Sequence, residues 1–319
     1  MDLGAWASKF NLRWVQAFSR CELLDRGCSG RIWRRIRGRR GGIWLHAAWY
    51  CTPQCLETAL GQRLAQALSS PLAVRPVPHR IPLGLLMLSR GQLTNPQLRQ
   101  ALAAQRKNGC GQLGYWLGQL GFAAESQITA ALGLQWACPI LPAFAPRDSH
   151  CATLLPFRLL EEFRMLPVQF VPSTRALYMA FSRGVDYPAL HAVEGILDCR
   201  TEACLLNQSA MDQALQRIGD EGHADERLFE SPRDASEMAR IACGYVIKLG
   251  ARAVRTAACG NYIWVRLESG QGRTHLLFRR PSPASENSAP ALANSSRSRV
   301  PFSGQAPANP HSESSAIAR

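Results

Sequence analysis

The sequence predicts an α+β fold in which tandem helical hairpins are followed by a small α/β subdomain, a further small αβββ unit and a disordered tail. Two segments repeat the same helical pattern 30 residues apart. From residue 139 onward, helical periodicity alternates with short runs that are typical of strands. After residue 281 the chain is rich in Ser, Pro, Ala and Asn and poor in large apolar residues, so we expect disorder over 281–319.

Residues 1–70 are predicted to form a basic module that contains cysteines. The first fifty residues carry ten Lys or Arg and only three Asp or Glu, and the densest basic run, at 31–40, includes Trp33. Such a run binds nucleic acid in some proteins, so nucleic-acid binding by this module is our second alternative function. Arginine supplies 34 of the 37 cations in the whole chain, however, which weighs against a specific role for this run.

Four cysteines of this module have the residue type and pairing of a zinc site: Cys21, Cys28, Cys51 and Cys55. The second pair resembles the later half of treble-clef-like zinc fingers, in which a Tyr-Cys-x-x-x-Cys segment opens a helix. Zinc takes four nitrogen or sulfur ligands in a tetrahedron, and two pairs supply them. The first pair is separated by six residues, wider than the usual gap, so four buried thiols are the alternative.

The tandem hairpins are predicted over residues 80–138 from a doubled Leu-Gly pattern. The first copy has Leu83, Gly84, Met87, Gly91, Leu98, Leu102 and Gln105, and the second has Leu113, Gly114, Leu117, Gly121, Ile128, Leu132 and Gln135. Each copy reads as two short helices joined by a glycine turn. Neither copy can bury its apolar face alone, so we expect the two to pack together.

The rest of the chain is predicted to contain the α/β subdomain at 139–218 and the αβββ unit at 230–280. The subdomain has predicted helices at 154–164, 187–197 and 209–218, a β-hairpin at 165–171 and 176–183, and a strand at 199–206. A polar linker is predicted at 219–232. The last unit has a predicted helix at 235–249 and strands at 251–257, 261–268 and 273–279.

The doubled motif resembles the N-terminal domain of GspE and MshE, the ATPases of type II secretion and type IV pilus assembly, over residues 80–218. The segments that begin at Leu154 and at Ala176 also resemble the second half of that domain. Some members of this family bind cyclic di-GMP across the two motifs. The resemblance therefore implies a bacterial protein, partners in secretion or pilus assembly, and cyclic di-GMP as a ligand.

The resemblance also implies which residues hold the ligand. They are Arg80, Leu83, Gly84, Gly91, Leu98, Leu102, Gln105, Gln112, Leu113, Gly114, Gly121, Leu132, Gln135 and Asp186. The Leu-Gly turns let backbone N–H groups approach phosphate, the leucines contact purine faces, and the glutamines pair with guanine edges. Pro82 and Gln112 replace the arginine that opens each family motif, and we expect Arg80 to substitute for it. Asp186 also reads as a helix N-cap.

Several function classes are excluded or disfavoured. None of the three lysines follows a glycine, so there is no Walker A loop and we expect no ATP binding. No hydrolase, zinc-protease or dinucleotide motif occurs, and we expect a protein that is not an enzyme. No apolar run approaches the ~20 residues of a membrane helix. The start lacks signal-peptide features and the eleven cysteines are scattered, so a cytoplasmic location is expected.

These observations together predict a free-standing sensory or adaptor protein without the family's ATPase. Its leading function is cyclic di-GMP sensing linked to type II secretion or type IV pilus systems. The first alternative is a protein–protein docking adaptor that binds no nucleotide.

Overall fold

The computed structural model describes residues 21–23, 28, 42–69, 80–109, 111–142, 151, 153–220 and 225–280. Within these residues the predicted α+β fold is confirmed. The predicted disordered tail at 281–319 and the basic run at 31–40 lie outside them. No helix among the described residues combines the length and apolar character needed to cross a bilayer.

The described residues form nine helices and nine strands. The helices are α1 (Pro53–Ser69), α2 (Leu83–Ser89), α3 (Asn95–Asn108), α4 (Leu113–Gln119), α5 (Glu125–Trp136), α6 (Phe157–Phe163), α7 (Tyr187–Leu197), α8 (Gln208–Asp220) and α9 (Ala235–Leu249). The strands are β1 (Ile43–Leu45), β2 (Ala48–Tyr50), β3 (Met165–Val171), β4 (Ala176–Phe181), β5 (Arg200–Leu205), β6 (Glu226–Phe229), β7 (Ala253–Cys259), β8 (Tyr262–Ser269) and β9 (Gly272–Arg279).

The predicted αβββ unit is present as α9, β7, β8 and β9, and its sheet is larger than the sequence indicated. Six strands lie in the order β2-β1-β7-β8-β9-β6. β1 runs parallel to β7 and pairs Leu45 with Val254, although these residues are more than 200 positions apart. Residues 43–69 and 226–279, which the sequence divided between two modules, thus share one sheet and one core.

The predicted polar linker at 219–232 differs from the structure. α8 continues to Asp220, and β6 lies within the linker and pairs in parallel with β9 at the edge of the sheet. The strand has only four residues and lies in a polar, acidic stretch of the chain, so its sequence pattern does not reveal it. Phe229 holds it by stacking on Phe278, with 4.9 Å between the ring centroids.

The central strands β8 and β9 of the six-stranded sheet bury apolar side chains on both faces of the sheet, because successive side chains point to opposite faces. On β8 and β9, Val265 and Phe278 face an outer layer formed by α1 and α9. Trp264 and Leu277 face the α/β subdomain instead. This alternation, which follows from the two-residue period of a strand, joins the subdomain to the sheet through one continuous apolar core.

The α/β subdomain contains a mixed three-stranded sheet in the order β3-β4-β5. The predicted β-hairpin is present as β3 and β4, which pair antiparallel, and β5 adds in parallel to β4. α6 and α8 pack near β3, whereas α7 contacts both β5 and the neighbouring strand β7 of the larger sheet.

The predicted helical hairpins are present, and their small core repeats the 30-residue period. Its buried residues form three pairs 30 positions apart: Met87 and Leu117, Leu93 and Ala123, and Ala101 and Ala131. Each copy therefore contributes the same three positions to one shared core, as expected for units that cannot bury an apolar face alone.

Candidate functional site

In the repeat, the first helix of each hairpin packs against the second helix of the other hairpin. α2 of the first copy packs against α5 of the second, and α3 packs against α4. The Gln105 side chain donates from Nε2 to the carbonyl oxygen of Gly111 at 2.9 Å, and Gln135 donates to that of Ile81 at 2.7 Å. Each glutamine therefore holds the backbone two residues before the Leu-Gly pair of the other copy, which gives the repeat an approximate two-fold symmetry.

The Leu-Gly pairs meet at the centre of this arrangement. A Cβ atom added to Gly84 would lie 2.6 Å from Leu98 Cδ1 and 3.1 Å from Leu113 Cδ2. A Cβ added to Gly114 would lie 3.0 Å from Ile128 Cγ2. The glycines thus allow leucine side chains of both copies to approach the helix backbone. This is a packing role, which the sequence analysis did not assign.

Gly84→Ala is expected to destabilise the protein by about 1–3 kcal/mol, because Leu98 must move to make room for the methyl group. Chemical denaturation followed by circular dichroism measures the change. Gly195→Ala is the matched control, since a Cβ there meets no atom within 4 Å, and alanine should stabilise that helix by up to about 1 kcal/mol. Equal stability of both variants would contradict the close approach of Leu98 to the backbone of α2.

The other residues that the resemblance assigns to the ligand lie at the ends of helices or are buried or half-buried within the hairpins. Gly91 and Gly121 lie just beyond the C-terminal ends of α2 and α4, in left-handed turns with φ of 68° and 67°. Gln112 is exposed and precedes α4. The leucines contributed by α3 and α5 are buried or half-buried: Leu98, Leu102 and Leu132. α2 and α4 each have seven residues, so they are short compared with the helices usually invoked for anion binding.

Arg80 stacks on an aromatic side chain beside the first Leu-Gly pair. Its guanidinium carbon lies 3.4 Å from the centroid of the Trp136 ring and 5.7 Å from that of Tyr187. Among the described residues, neither Arg80 Nη1 nor Trp136 Nε1 has a hydrogen-bond partner, although both atoms are buried. Two neighbouring donors are therefore left for an acceptor, since buried N–H groups are rarely unsatisfied.

The sequence analysis identified Arg80 but missed Trp136 and Tyr187. Trp136 directly follows the motif glutamine of the second copy, which was the only available signal. A Cβ on Gly184 would lie 2.7 Å from the Trp136 ring, so the absence of that side chain lets the ring pack on the α/β subdomain. The backbone at Gly184 also has a φ of 116°, which only glycine adopts readily.

Asp186 has the N-cap role that the sequence indicated. Its Oδ1 accepts from the backbone N–H of Ala189 at 2.8 Å at the start of α7. Asp186 thus helps to place Tyr187 next to Arg80 by fixing the start of α7.

A different carboxylate joins the repeat to the subdomain. Glu125 accepts from the backbone N–H and the hydroxyl of Ser209 at 2.6 Å and 2.7 Å.

The four N-terminal cysteines converge in space. The Sγ atoms of Cys21, Cys28, Cys51 and Cys55 all lie within 4.8 Å of one another. The separation is 3.4 Å between Cys28 and Cys51, 3.7 Å between Cys28 and Cys55, and 3.9 Å between Cys51 and Cys55. These distances exceed the ~2.05 Å of a disulfide bond. The cluster is therefore a set of thiols with an arrangement that could hold a metal ion.

Local structure places the second cysteine pair. Cys51 follows β2, and Cys55 lies in the first turn of α1, where its backbone N–H donates to Thr52 Oγ1 at 3.2 Å. Burial, then hydrogen bonds with neighbouring thiols, raise the pKa of the Cys51 thiol. Burial also raises the pKa of Cys55. A cation among these sulfur atoms would stabilise their thiolate form.

Comparisons with known proteins give partial similarities. The sequence matches no protein-family model and no curated protein. Solved structures similar to part of the chain include MshE with cdg, at 29% identity over 44% of this chain and 99% of that chain, with a TM-score of 0.37. The N-terminal domain of XpsE is 20% identical over 42% of this chain and 92% of that chain, with a TM-score of 0.32.

Proposed function

We propose that residues 80–218 bind cyclic di-GMP, and that the protein is a cytoplasmic, non-enzymatic receptor that links this messenger to a type II secretion or type IV pilus system. The observation that best supports this proposal is a pair of buried donors, Arg80 Nη1 and Trp136 Nε1, which have no hydrogen-bond partner among the described residues. They lie beside the contact between the two Leu-Gly motifs. The motif resemblance supplies the ligand, and MshE, which is similar in part, has been solved with cdg.

The chemistry of the first half-site suits a guanine nucleotide. The Arg80 guanidinium is held against the Trp136 ring by a cation–π contact, so its orientation is fixed before a ligand arrives. Arginine donates well to phosphate oxygens and to the O6 and N7 acceptors of guanine. Arg80 therefore takes over the role of the motif arginine that Pro82 has replaced.

The second half-site also has a cation. The repeat relates Trp136 to Arg106, which lies 30 positions earlier, is exposed and belongs to the last turn of α3. It directly follows Gln105, whose side chain reaches the backbone before the second Leu-Gly pair. Each half of a two-fold ligand with two phosphates would thus meet one arginine, although both motif arginines are replaced.

Arg80→Ala is expected to weaken cyclic di-GMP binding about 10- to 150-fold, because one charge-assisted contact contributes about 1.5–3 kcal/mol. Isothermal titration calorimetry measures the change. Gln105→Ala and Gln135→Ala are poorer probes, since both side chains hold the hairpins together. Arg90→Ala is the matched control, because Arg90 is exposed at the other end of α2, and it should leave the affinity unchanged.

Two results would contradict this proposal. One is equal affinity of wild type and Arg80→Ala. The other is no heat from wild type at about 100 μM ligand, where binding worth about −5.5 kcal/mol would be detected. The second result would leave protein–protein docking as the remaining candidate function.

A docking adaptor that binds no nucleotide is the second candidate function, and a surface groove favours it. The groove has a volume of about 200 Å³ and crosses the three-stranded sheet; its lining is Pro139, Ile140, Leu141, Val168, Gln169, Tyr178 and Cys204. Ile140 and Tyr178 are 42% and 39% exposed, which suits an apolar segment of a secretion or pilus assembly protein. Tyr178→Asp would then weaken that complex and leave the nucleotide affinity unchanged.

A further inference from the structure

We propose that Cys21, Cys28, Cys51 and Cys55 bind one zinc ion that fastens the N-terminal segment to the six-stranded sheet. Four sulfurs bound tetrahedrally at ~2.3 Å from one zinc lie about 3.8 Å apart. The three separations among Cys28, Cys51 and Cys55 are 3.4, 3.7 and 3.9 Å. The thiols therefore already have nearly the spacing that a zinc ion requires.

The four sulfur ligands indicate which metal ion the site would bind and whether the site is structural or catalytic. Thiolates are soft ligands, and a tetrahedral site of four sulfurs favours zinc among the common divalent ions. All four sulfur atoms lie within 4.8 Å of one another, so no separation exceeds the ~3.8 Å of a tetrahedral zinc site by more than about 1 Å. One ion fits this space. Four protein ligands leave no open position, so the site is structural and not catalytic.

The ligands come from three pieces of chain that have little else in common. Cys21 and Cys28 belong to the N-terminal segment, and the Cys28 N–H donates to the Leu23 carbonyl at 3.1 Å. Cys51 follows β2, and Cys55 begins α1.

The position of the cluster indicates what the ion stabilises. β1 and β2 have three residues each, and two such short strands are not stable alone in water. β2 is an edge strand of the sheet, and the Glu22 N–H donates to the Trp49 carbonyl at 3.2 Å along this edge. Cys21 and Leu23 are buried in the core beneath it. Zinc would join the N-terminal segment, the edge strand β2 and α1, and would keep the open edge of the sheet covered by that segment.

The test is metal analysis of the full chain purified under reducing conditions without chelator. Wild type is expected to contain about one zinc per chain. Cys55→Ser should lose the metal, whereas Cys199→Ser, which changes a half-buried cysteine outside the cluster, should retain it. Removal of zinc by a chelator should also lower the melting temperature of wild type and leave that of Cys55→Ser unchanged.

A second measurement covers the case in which Cys55→Ser does not fold. Co²⁺ added to reduced, metal-stripped wild type should produce the absorption bands of a tetrahedral thiolate site, and zinc should displace it. Wild type that contains no stoichiometric metal and gives no tetrahedral Co²⁺ spectrum would overturn the proposal. Stoichiometric iron in place of zinc would overturn the assignment of the ion.

Discussion

Trp264→Ala is expected to lower the free energy of unfolding by about 3–5 kcal/mol. Trp264 is fully buried on the face of the large sheet that packs on the α/β subdomain. Its removal leaves a cavity between two layers. It also deprives His275 Nδ1 of the indole N–H, which donates at 3.1 Å. Urea denaturation followed by circular dichroism measures the loss.

Two variants make this result interpretable. Trp264→Phe retains much of the volume but not the donor, so its destabilisation should fall between wild type and Trp264→Ala. Ile247→Ala truncates a side chain that is 65% exposed and should stay within about 0.5 kcal/mol of wild type. If Trp264→Ala cost less than about 1 kcal/mol, the sheet and the subdomain would not share the core described above.

Acid is expected to destabilise the protein through His275, by about 2 kcal/mol between pH 6.5 and pH 4.5. Burial, and then the nearby charges of Arg266 and Arg273, lower the pKa of His275 to about 3. The folded state therefore holds the imidazole neutral, whereas the unfolded chain protonates it below about pH 6.5. Stability from this group is present above pH 6.5 and is lost as the pH falls toward 3.

His275→Gln tests this effect, because glutamine can accept from Trp264 and does not titrate. The difference in stability between wild type and variant should shrink by about 2 kcal/mol when the pH is lowered from 6.5 to 4.5. Some acid sensitivity should remain, since burial, then Arg63 and Arg255, lower the pKa of His46 to about 4. A difference that is constant with pH would show that His275 does not titrate as described.

The repeat and its core followed from the sequence because they depend on local pattern. Met87 and Leu117 are buried at equivalent positions, and the 30-residue period gave both hairpins. α9 was predicted with its observed ends, since Asp234 caps its start and Gly250 ends it in a left-handed conformation. These signals act within one or two helical turns, so no knowledge of distant contacts was needed.

The sequence did not predict which strands form the large sheet, because their pairing depends on contacts between distant segments. β1 has three residues and pairs with β7 across more than 200 positions. β6 has only four residues, and its place in the sheet depends on pairing with β9 and on the stack of Phe229 on Phe278. Such strands lack the alternating pattern over four to eight residues that identifies a strand from sequence.

The sequence analysis proposed residues for the candidate nucleotide site but did not predict their contacts. The motif placed Gln105 and Gln135 toward a ligand, whereas their amides donate to backbone carbonyls of the opposite copy. The stacking of Arg80 on Trp136 joins residues 56 positions apart and has no local signature. The cysteine cluster was easier to predict, since cysteine is a characteristic zinc ligand and Cys55 lies in the first turn of a helix.

A titration of the wild-type chain with cyclic di-GMP and, separately, with GMP tests the central claim most directly. If the two Leu-Gly motifs form one two-fold site, the chain will bind one cyclic di-GMP. GMP, which fills only half of the site, will then bind at least about 100-fold more weakly. Binding of two cyclic di-GMP molecules per chain, equal affinity for GMP, or no binding at all would contradict a single site shared by the two copies.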